Sequence, residues 1–323
     1  MIISASRRTD IPAYFGRWFM KRIEEGYFYT VNPFNQNQVR GFSLLREDVD
    51  AIIFWTKNPE PFLPYLDFLN ARGYAYYFLY TINDYPSLFE PGLPDIEHRV
   101  DTFRNLSRRI SRQRVIWRYD PIIISSLTPV DYHLERIEKL SEMLNGYTRR
   151  VIISFLDFYG KVKKRLIRIE GQQGITFRDI RGDLFREELF DFAREFVRIV
   201  KSKGMHVQSC AEAVDLDQCG IIHGSCVDED LIRNLFAVKK TFGRDNHQRR
   251  NCMCARSVDL GMYDTCRAGC IYCYANLNEK KVKSNLKIHS SASPLLIGKL
   301  DGSIEIISED FSRTEADSQL KLF

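Results

Sequence analysis

Near the C-terminal end of the chain, Cys266, Cys270 and Cys273 stand in the spacing C-x3-C-x2-C, within the run CRAGCIYC. Three thiolates can hold three irons of a [4Fe–4S] cluster and leave the fourth iron without a protein ligand. An open coordination position is what chemistry at a metal needs, as it is in catalytic zinc sites. Gly269 gives the backbone the freedom for a tight path between two ligands. Zinc is the alternative occupant. Its sites more commonly pair two C-x2-C units or add histidines at set spacings.

All eight cysteines fall after residue 209. Such clustering in a chain without a secretory signal points to metal binding or redox chemistry rather than to disulfides. Cys210, Cys226 (in HGSC), Cys252 and Cys254 (in NCMC) are enough for a second, fully ligated site. That site would be a second [4Fe–4S] cluster or a structural zinc. The competing account is that some of the four are small buried hydrophobes, as free cysteines often are. Cys219 is the expected bystander, or a substitute for one of the four. Among the six histidines, His223 beside Cys226 is the one to watch as a ligand, while His98 and His133 fall in helical patterns expected at the surface.

The 323 residues are 44% hydrophobic and 28% charged, as in ordinary globular proteins. The start, MIISASRRTD, has no apolar run long enough for a signal peptide, and no segment approaches a membrane span. A cytoplasmic protein with no membrane partner is therefore expected. The 47 basic and 42 acidic side chains leave a net charge of +5. Basic residues gather at 108–114, 161–168, 249–250 and 280–283. Each gathering reads first as a solvated face, and together they keep nucleic acid open as a substrate class.

Positioning falls to the first two hundred residues, where apolar runs alternate with amphipathic stretches, the pattern of β/α architecture. Strands are expected at 2–6, 27–31, 51–56, 75–82, 115–119, 151–156 and 206–210. Helices are expected at 14–25, 62–71, 98–110, 131–144 and 184–203, with another at 228–240. Six strands end in SASRRTD, FWTKNP, YTIND, WRYDP, SFLDFYG and QSCAE, each turning from apolar to polar. In a β/α barrel that rim is where the active site is built. The expected fold is α/β, a full or partial TIM-like barrel over 1–211 with a C-terminal cysteine-rich, metal-binding cap. The iron–sulfur segment, 212–289, would pack on the barrel mouth, and a tail at 290–323 carries a candidate hairpin around Asp301 and Gly302.

The motifs ISASRRTDIPA, NPFNQNQV, FWTKNP, WRYDPI, SFLDFYGK, CAE, GIIHGSCVD, CMCARSVDLGMYDTCRAGCIYCYAN and SQLKLF run along nearly the whole chain. With them the sequence resembles the domain-of-unknown-function 1848 family, whose implied relatives include radical enzymes such as the DNA-repair spore photoproduct lyase. The cysteine triplet, followed by YCYAN, likewise resembles that of radical S-adenosylmethionine enzymes. That resemblance implies a [4Fe–4S] cluster, S-adenosylmethionine chelated at the open iron, a 5′-deoxyadenosyl radical, and a reducing partner such as ferredoxin or flavodoxin. The superfamily usually places its cysteine loop after the first barrel strand, where this chain has SASRRTD, and its glycine-glycine-glutamate motif is not evident here. Either a C-terminal loop delivers the cluster to the barrel mouth, or the barrel only resembles the radical one.

On that resemblance Tyr272 would lie near the adenine. Arg7 and Arg8 are candidates for a carboxylate or phosphate, since guanidinium forks match either. Asp10 would take ribose hydroxyls or the amino group, Lys57 or Arg118 the methionine carboxylate, and Asp120 or Asp157 the amino group. Glu212 is a further cofactor-binding candidate, and Tyr159 a donor of a hydrogen atom. For each the rival role is an internal salt bridge or a core contact, such as Arg118 with Asp120. Two other functions remain open: a zinc- or iron–sulfur-stabilised nucleic-acid-binding or structural protein, and an electron carrier that does not cleave S-adenosylmethionine. The polar strand ends speak against the carrier, which needs no such cavity.

Overall fold

A computed structural model of the chain describes residues 1–32, 35–300 and 306–308. Its centre is an eight-stranded sheet of parallel pairs: β1 (Ile2–Ala5), β2 (Ala51–Thr56), β3 (Tyr76–Thr81), β4 (Val115–Ile122), β5 (Arg150–Phe155), β6 (His206–Cys210), β7 (Ile222–Gly224) and β8 (Val258–Asp259). The spatial order is β7-β6-β5-β4-β3-β2-β1-β8. Among the described residues β7 and β8 do not pair, so the fold is α/β with an open run of strands. A smaller sheet joins Tyr27–Asn32 antiparallel to Asn35–Ser43, which pairs in parallel with Ile306–Ser308. The 27–31 strand therefore belongs outside the main sheet, and the turn expected at Asp301 and Gly302 lies outside the described residues.

Successive side chains on a strand point to opposite faces. On the outer face, Ile3, Ile52, Phe54, Tyr76, Phe78, Tyr80, Val115 and Trp117 pack in one core with the helices. That core takes Trp18 and Phe19 from Gly16–Glu25, Val100, Phe103 and Leu106 from Ile96–Ile110, Ile137 and Leu140 from Val130–Met143, and Phe192 and Phe196 from Arg186–Ser202. The last three sets repeat at three or four residues, as an amphipathic helix requires. On the inner face, Ile2, Ile53, Tyr77, Leu79, Ile116 and Ile152 pack against Cys210, Cys226, Cys252, Cys254 and Ala255. These four cysteines thus pack on the face opposite the helices.

Continuing two residues at a time, each inner row turns polar: Ile2 leads to Ser4 and Ser6, Ile53 to Trp55, Leu79 to Thr81, Ile116 to Arg118, and Ile152 to Ser154. Register carries the rows across, with Thr81 opposite Arg118 and Arg118 opposite Ile152. Polar groups from separate strands therefore meet at one end of the sheet.

Candidate functional site

A cavity of about 330 Å³ opens at this end. That size suits a small-molecule ligand. It is lined by all seven cysteines of the triplet and quartet and by the strand-end and cofactor-binding candidates other than Glu212, while His223 lies outside it.

The triplet loop is anchored from three directions. Ile271 N–H donates to the Phe89 carbonyl at 3.1 Å, and Gly92 N–H donates to the Ala268 carbonyl at 3.1 Å. A Cβ at Gly92 would stand 2.6 Å from that oxygen, so the approach excludes any side chain. Arg165 donates to the carbonyls of Ile271, Cys273 and Asn276 at 2.7, 3.0 and 2.9 Å. Arg165 sits in the basic run that read as a solvated face, and its helix, Gly160–Gln173, was not among those expected. Gly269 takes φ +70°, the conformation anticipated for the tight path between ligands.

Cys270 and Tyr272 are buried beside Tyr85, Phe89, Ile123 and Leu156, with Cys266 and Cys273 packed against the same group. Burial pushes the Cys270 thiol up to about 12 against the pull of Lys57. It pushes Cys266 well above the usual thiol range, with Asp10 and the other two cysteines adding to the effect as charges.

Glu90, which the sequence did not single out, organises this side. It lies 2.8 Å from Lys57 Nζ and 3.3 Å from Arg99 Nη1, and accepts hydrogen bonds from Tyr272 Oη and, at 3.3 Å, from Asn83 Nδ2. Burial alone would raise its pKa, but Lys57 and Arg99 outweigh burial and hold it at about 2. The Lys57 ammonium lies 5.4 Å from the centre of the Tyr272 ring. Asp10 caps the Ile11–Tyr14 turn through Ala13 N–H at 3.0 Å and accepts from Lys57 N–H at 2.7 Å. Burial nevertheless raises its carboxyl to about 6.

Across the cavity, Arg118 donates through Nη2 to Asp120 at 2.6 Å, the internal salt bridge anticipated as its rival role. Ser154 Oγ also donates to Asp120. The Arg118 and Arg7 guanidinium carbons stand 4.8 and 5.4 Å from the centre of the Trp55 ring. Arg7 donates its backbone N–H to Asp259 at 2.8 Å, and Tyr274 Oη donates to the Arg7 carbonyl at 2.6 Å. Arg8 lies 5.1 Å from the Tyr263 ring centre. Asp157 is paired with Arg181 at 3.0 Å and with Arg249, and Tyr159, still partly exposed, donates to it at 3.2 Å. Glu212, buried behind the cavity, accepts from Phe155 N–H at 2.8 Å. Burial raises its carboxyl to about 7.

The quartet cysteines are buried together, and Val227 N–H donates to Cys254 Sγ at 3.4 Å. The four thiols are close enough to shift one another's titration, Cys210 with the other three and Cys254 with Cys226 and Cys252. These contacts draw the Cys254 thiol down, while Cys252 is held up by its two neighbours and by burial. Even so, among the described residues no group of three or more His, Cys, Asp or Glu side chains is already arranged to hold a metal ion. Cys219 lies apart, in the helix-side core, donating to the Phe190 carbonyl at 3.7 Å. His223 is spent on the Asn251 carbonyl at 2.8 Å. The surface expectation for His133 is wrong. It is fully buried between Tyr119 Oη at 2.8 Å and the Ile123 carbonyl at 2.9 Å, and these two partners make up for its lost water.

No helix among the described residues is long and apolar enough to cross a membrane. No curated protein matches the chain at a significant level. The family described as Domain of unknown function (DUF1848) matches residues 2–275, which cover the whole sheet, both cysteine groups and the cavity they line, and the chain belongs to that family.

Proposed function

We propose that the protein is a radical S-adenosylmethionine enzyme, holding a [4Fe–4S] cluster through Cys266, Cys270 and Cys273. The observation that carries this reading is the placement of the triplet loop against the polar strand ends, in one cavity. Cys266, Cys270 and Cys273 would supply the three ligands: burial raises the Cys266 and Cys270 thiols above their usual range, and the positive charge of iron would favour their thiolate forms. A bound cluster would supply the electron that cleaves the sulfonium of S-adenosylmethionine. The chain's own residues would then bind and shield. Tyr272 is fixed by Glu90 for contact with the adenine, and Lys57, held by the same carboxylate, faces the triplet. Asp10 would take the ribose hydroxyls or the amino group, and Asp120 or Asp157 the amino group in exchange for its present arginine partner.

In this reading the sheet is a partial barrel, and the cysteine-rich segment is a cap that carries a second metal. That metal would be a second [4Fe–4S] cluster or a structural zinc, since four thiolates suffice for either closed site. An electron donor such as ferredoxin or flavodoxin is implied. The alternative is a metal-stabilised nucleic-acid-binding or structural protein.

The deciding experiment is anaerobic reconstitution, reduction and addition of S-adenosylmethionine, with 5′-deoxyadenosine measured as product. Cys270→Ala should abolish it. A wild-type protein that carries zinc in place of iron and forms no product would end the proposal.

A further inference from the structure

The helix Gly160–Gln173 meets the triplet loop on one side and water on the other. Its Val162 and Leu166 are buried in the same cluster as Cys270 and Tyr272, and its Arg165 holds the loop carbonyls described above. Lys161, Lys164 and Arg168 are exposed, and their spacing of three and four residues puts them in one stripe. A helix with its side chains is about 10–12 Å across. A partner seated on that stripe would therefore stand about one helix diameter from the triplet.

The chain runs from the triplet straight into a second basic helix. Arg165 donates to the Asn276 carbonyl at 2.9 Å, Leu277 follows with 54% of its surface exposed, and Asn278 caps the helix Glu279–Lys287 through Lys281 N–H at 2.9 Å. Lys280 and Lys281 are exposed as well. Among the described residues none of these lysines, nor Arg168, has an acidic partner. The nearby acids are already engaged. Glu279 pairs with Lys283 at 2.5 Å, Glu170 accepts from Phe177 N–H at 3.2 Å, and Asp264 accepts from Leu277 N–H.

An exposed leucine between two sets of unmatched cations has the anatomy of an interface, an apolar centre with a polar rim. Its electrostatic complement is acidic. From this placement we infer that the two helices and Leu277 form the docking surface of an acidic one-electron carrier protein. The inference rests on the proposed cluster and adds where its electron enters, through the side of the loop that Gly160–Gln173 covers. One electron leaves the carrier's reduced cofactor and one enters the cluster, with no bond made or broken. Nucleic acid would suit the charge equally, and the direct contact of this helix with the triplet loop is what favours the carrier. Encounters between redox proteins are small and transient, and salt weakens those that rest on exposed charges.

Biolayer interferometry of the full-length protein with an acidic bacterial flavodoxin tests it, at low and high salt, beside a single-stranded oligonucleotide. This binding needs no cluster and no turnover, whereas cleavage of S-adenosylmethionine driven by dithionite needs no docked protein, so the two proposals fail separately. Flavodoxin should bind, and more weakly as salt rises. Lys164→Glu combined with Arg168→Glu, and separately Lys280→Glu combined with Lys281→Glu, should each weaken it at least about tenfold. Arg112→Glu combined with Arg149→Glu reverses two exposed charges just before β4 and β5, at the opposite end of the sheet, and should leave binding unchanged. An unchanged unfolding midpoint qualifies each double variant, and one helix alone suffices if the other variant does not fold. Flavodoxin that fails to bind, or that binds the helix variants no more weakly than the control variant, would overturn the inference. So would an oligonucleotide that binds through these lysines while flavodoxin ignores them.

Discussion

Arg165 and Cys273, 108 residues apart, are joined by a 3.0 Å hydrogen bond from guanidinium to backbone carbonyl. The same side chain also holds Ile271 and Asn276, so one cation fixes the path of the loop on both sides of its third cysteine. Arg165→Ala leaves three carbonyls without this donor, and a loss of about 2 kcal/mol is expected. Thermal unfolding should show it, and iron retained after reconstitution and desalting should fall. Unchanged iron content would show that the loop holds its shape without Arg165.

Glu90 is the carboxylate on which Lys57, Arg99 and Tyr272 converge. Replacing it with the isosteric Gln removes the charge and leaves two cations partly buried beside a neutral amide. Breaking a buried pair in this way costs about 3–5 kcal/mol. Denaturant titration of Glu90→Gln should show a loss in that range. A loss under about 1 kcal/mol would mean that solvent already screens the pair.

His133 gives the fold an acid-sensitive component. Burial lowers its pKa from 6.5 to about 4 in the folded chain. Between those values the unfolded chain binds a proton that the folded chain refuses, so stability falls as pH drops through this window, by about 3 kcal/mol in all. Asp10 acts the other way: its folded pKa of about 6 lies above 3.8, so its contribution is full below 3.8 and is lost as pH rises through 6. Comparison of wild type with His133→Gln isolates the histidine. The difference between the two should change between pH 6.5 and 4, and a constant difference would refute the assignment.

The quartet can be separated from the triplet by metal analysis. Replacing both Cys252 and Cys254 with serine should remove the second metal and leave the triplet able to take up about four irons on reconstitution. A full metal complement in the double variant would show that these thiols hold nothing.

The sheet was legible where a strand is a near-continuous apolar run with a polar stop: 51–56 and 206–210 were anticipated to the residue. β7 and β8, three and two residues long, carry too little side-chain pattern to be seen, and their places come from pairing with β6 and β1. The helix at Gly160–Gln173 was hidden because only Val162 and Leu166 of its length are buried, and the basic residues around them dominate the run. Individual cysteines and strand-end residues could be named, because their chemistry is local. Glu90 could not: it lies in the loop after β3, and only the folded chain brings it to Tyr272, 182 residues away. His133 was misplaced for the same reason, since Tyr119 and the Ile123 carbonyl are partners that no helical pattern displays.

Both outermost strands of the main sheet, β7 and β8, come from the chain after residue 221. A ribosome that has made only the first 211 residues has therefore made six strands and neither of their flanks. Until Ile222–Gly224 and Val258–Asp259 emerge, β6 and β1 present open hydrogen-bonding edges, the kind that recruit other chains. Asp259 then latches the first strand by accepting from Ser4, Ser6 and the Arg7 backbone. Shortened chains that stop before this latch should collect in the insoluble fraction, and the cysteine segment would protect the nascent sheet from aggregation before it holds any metal.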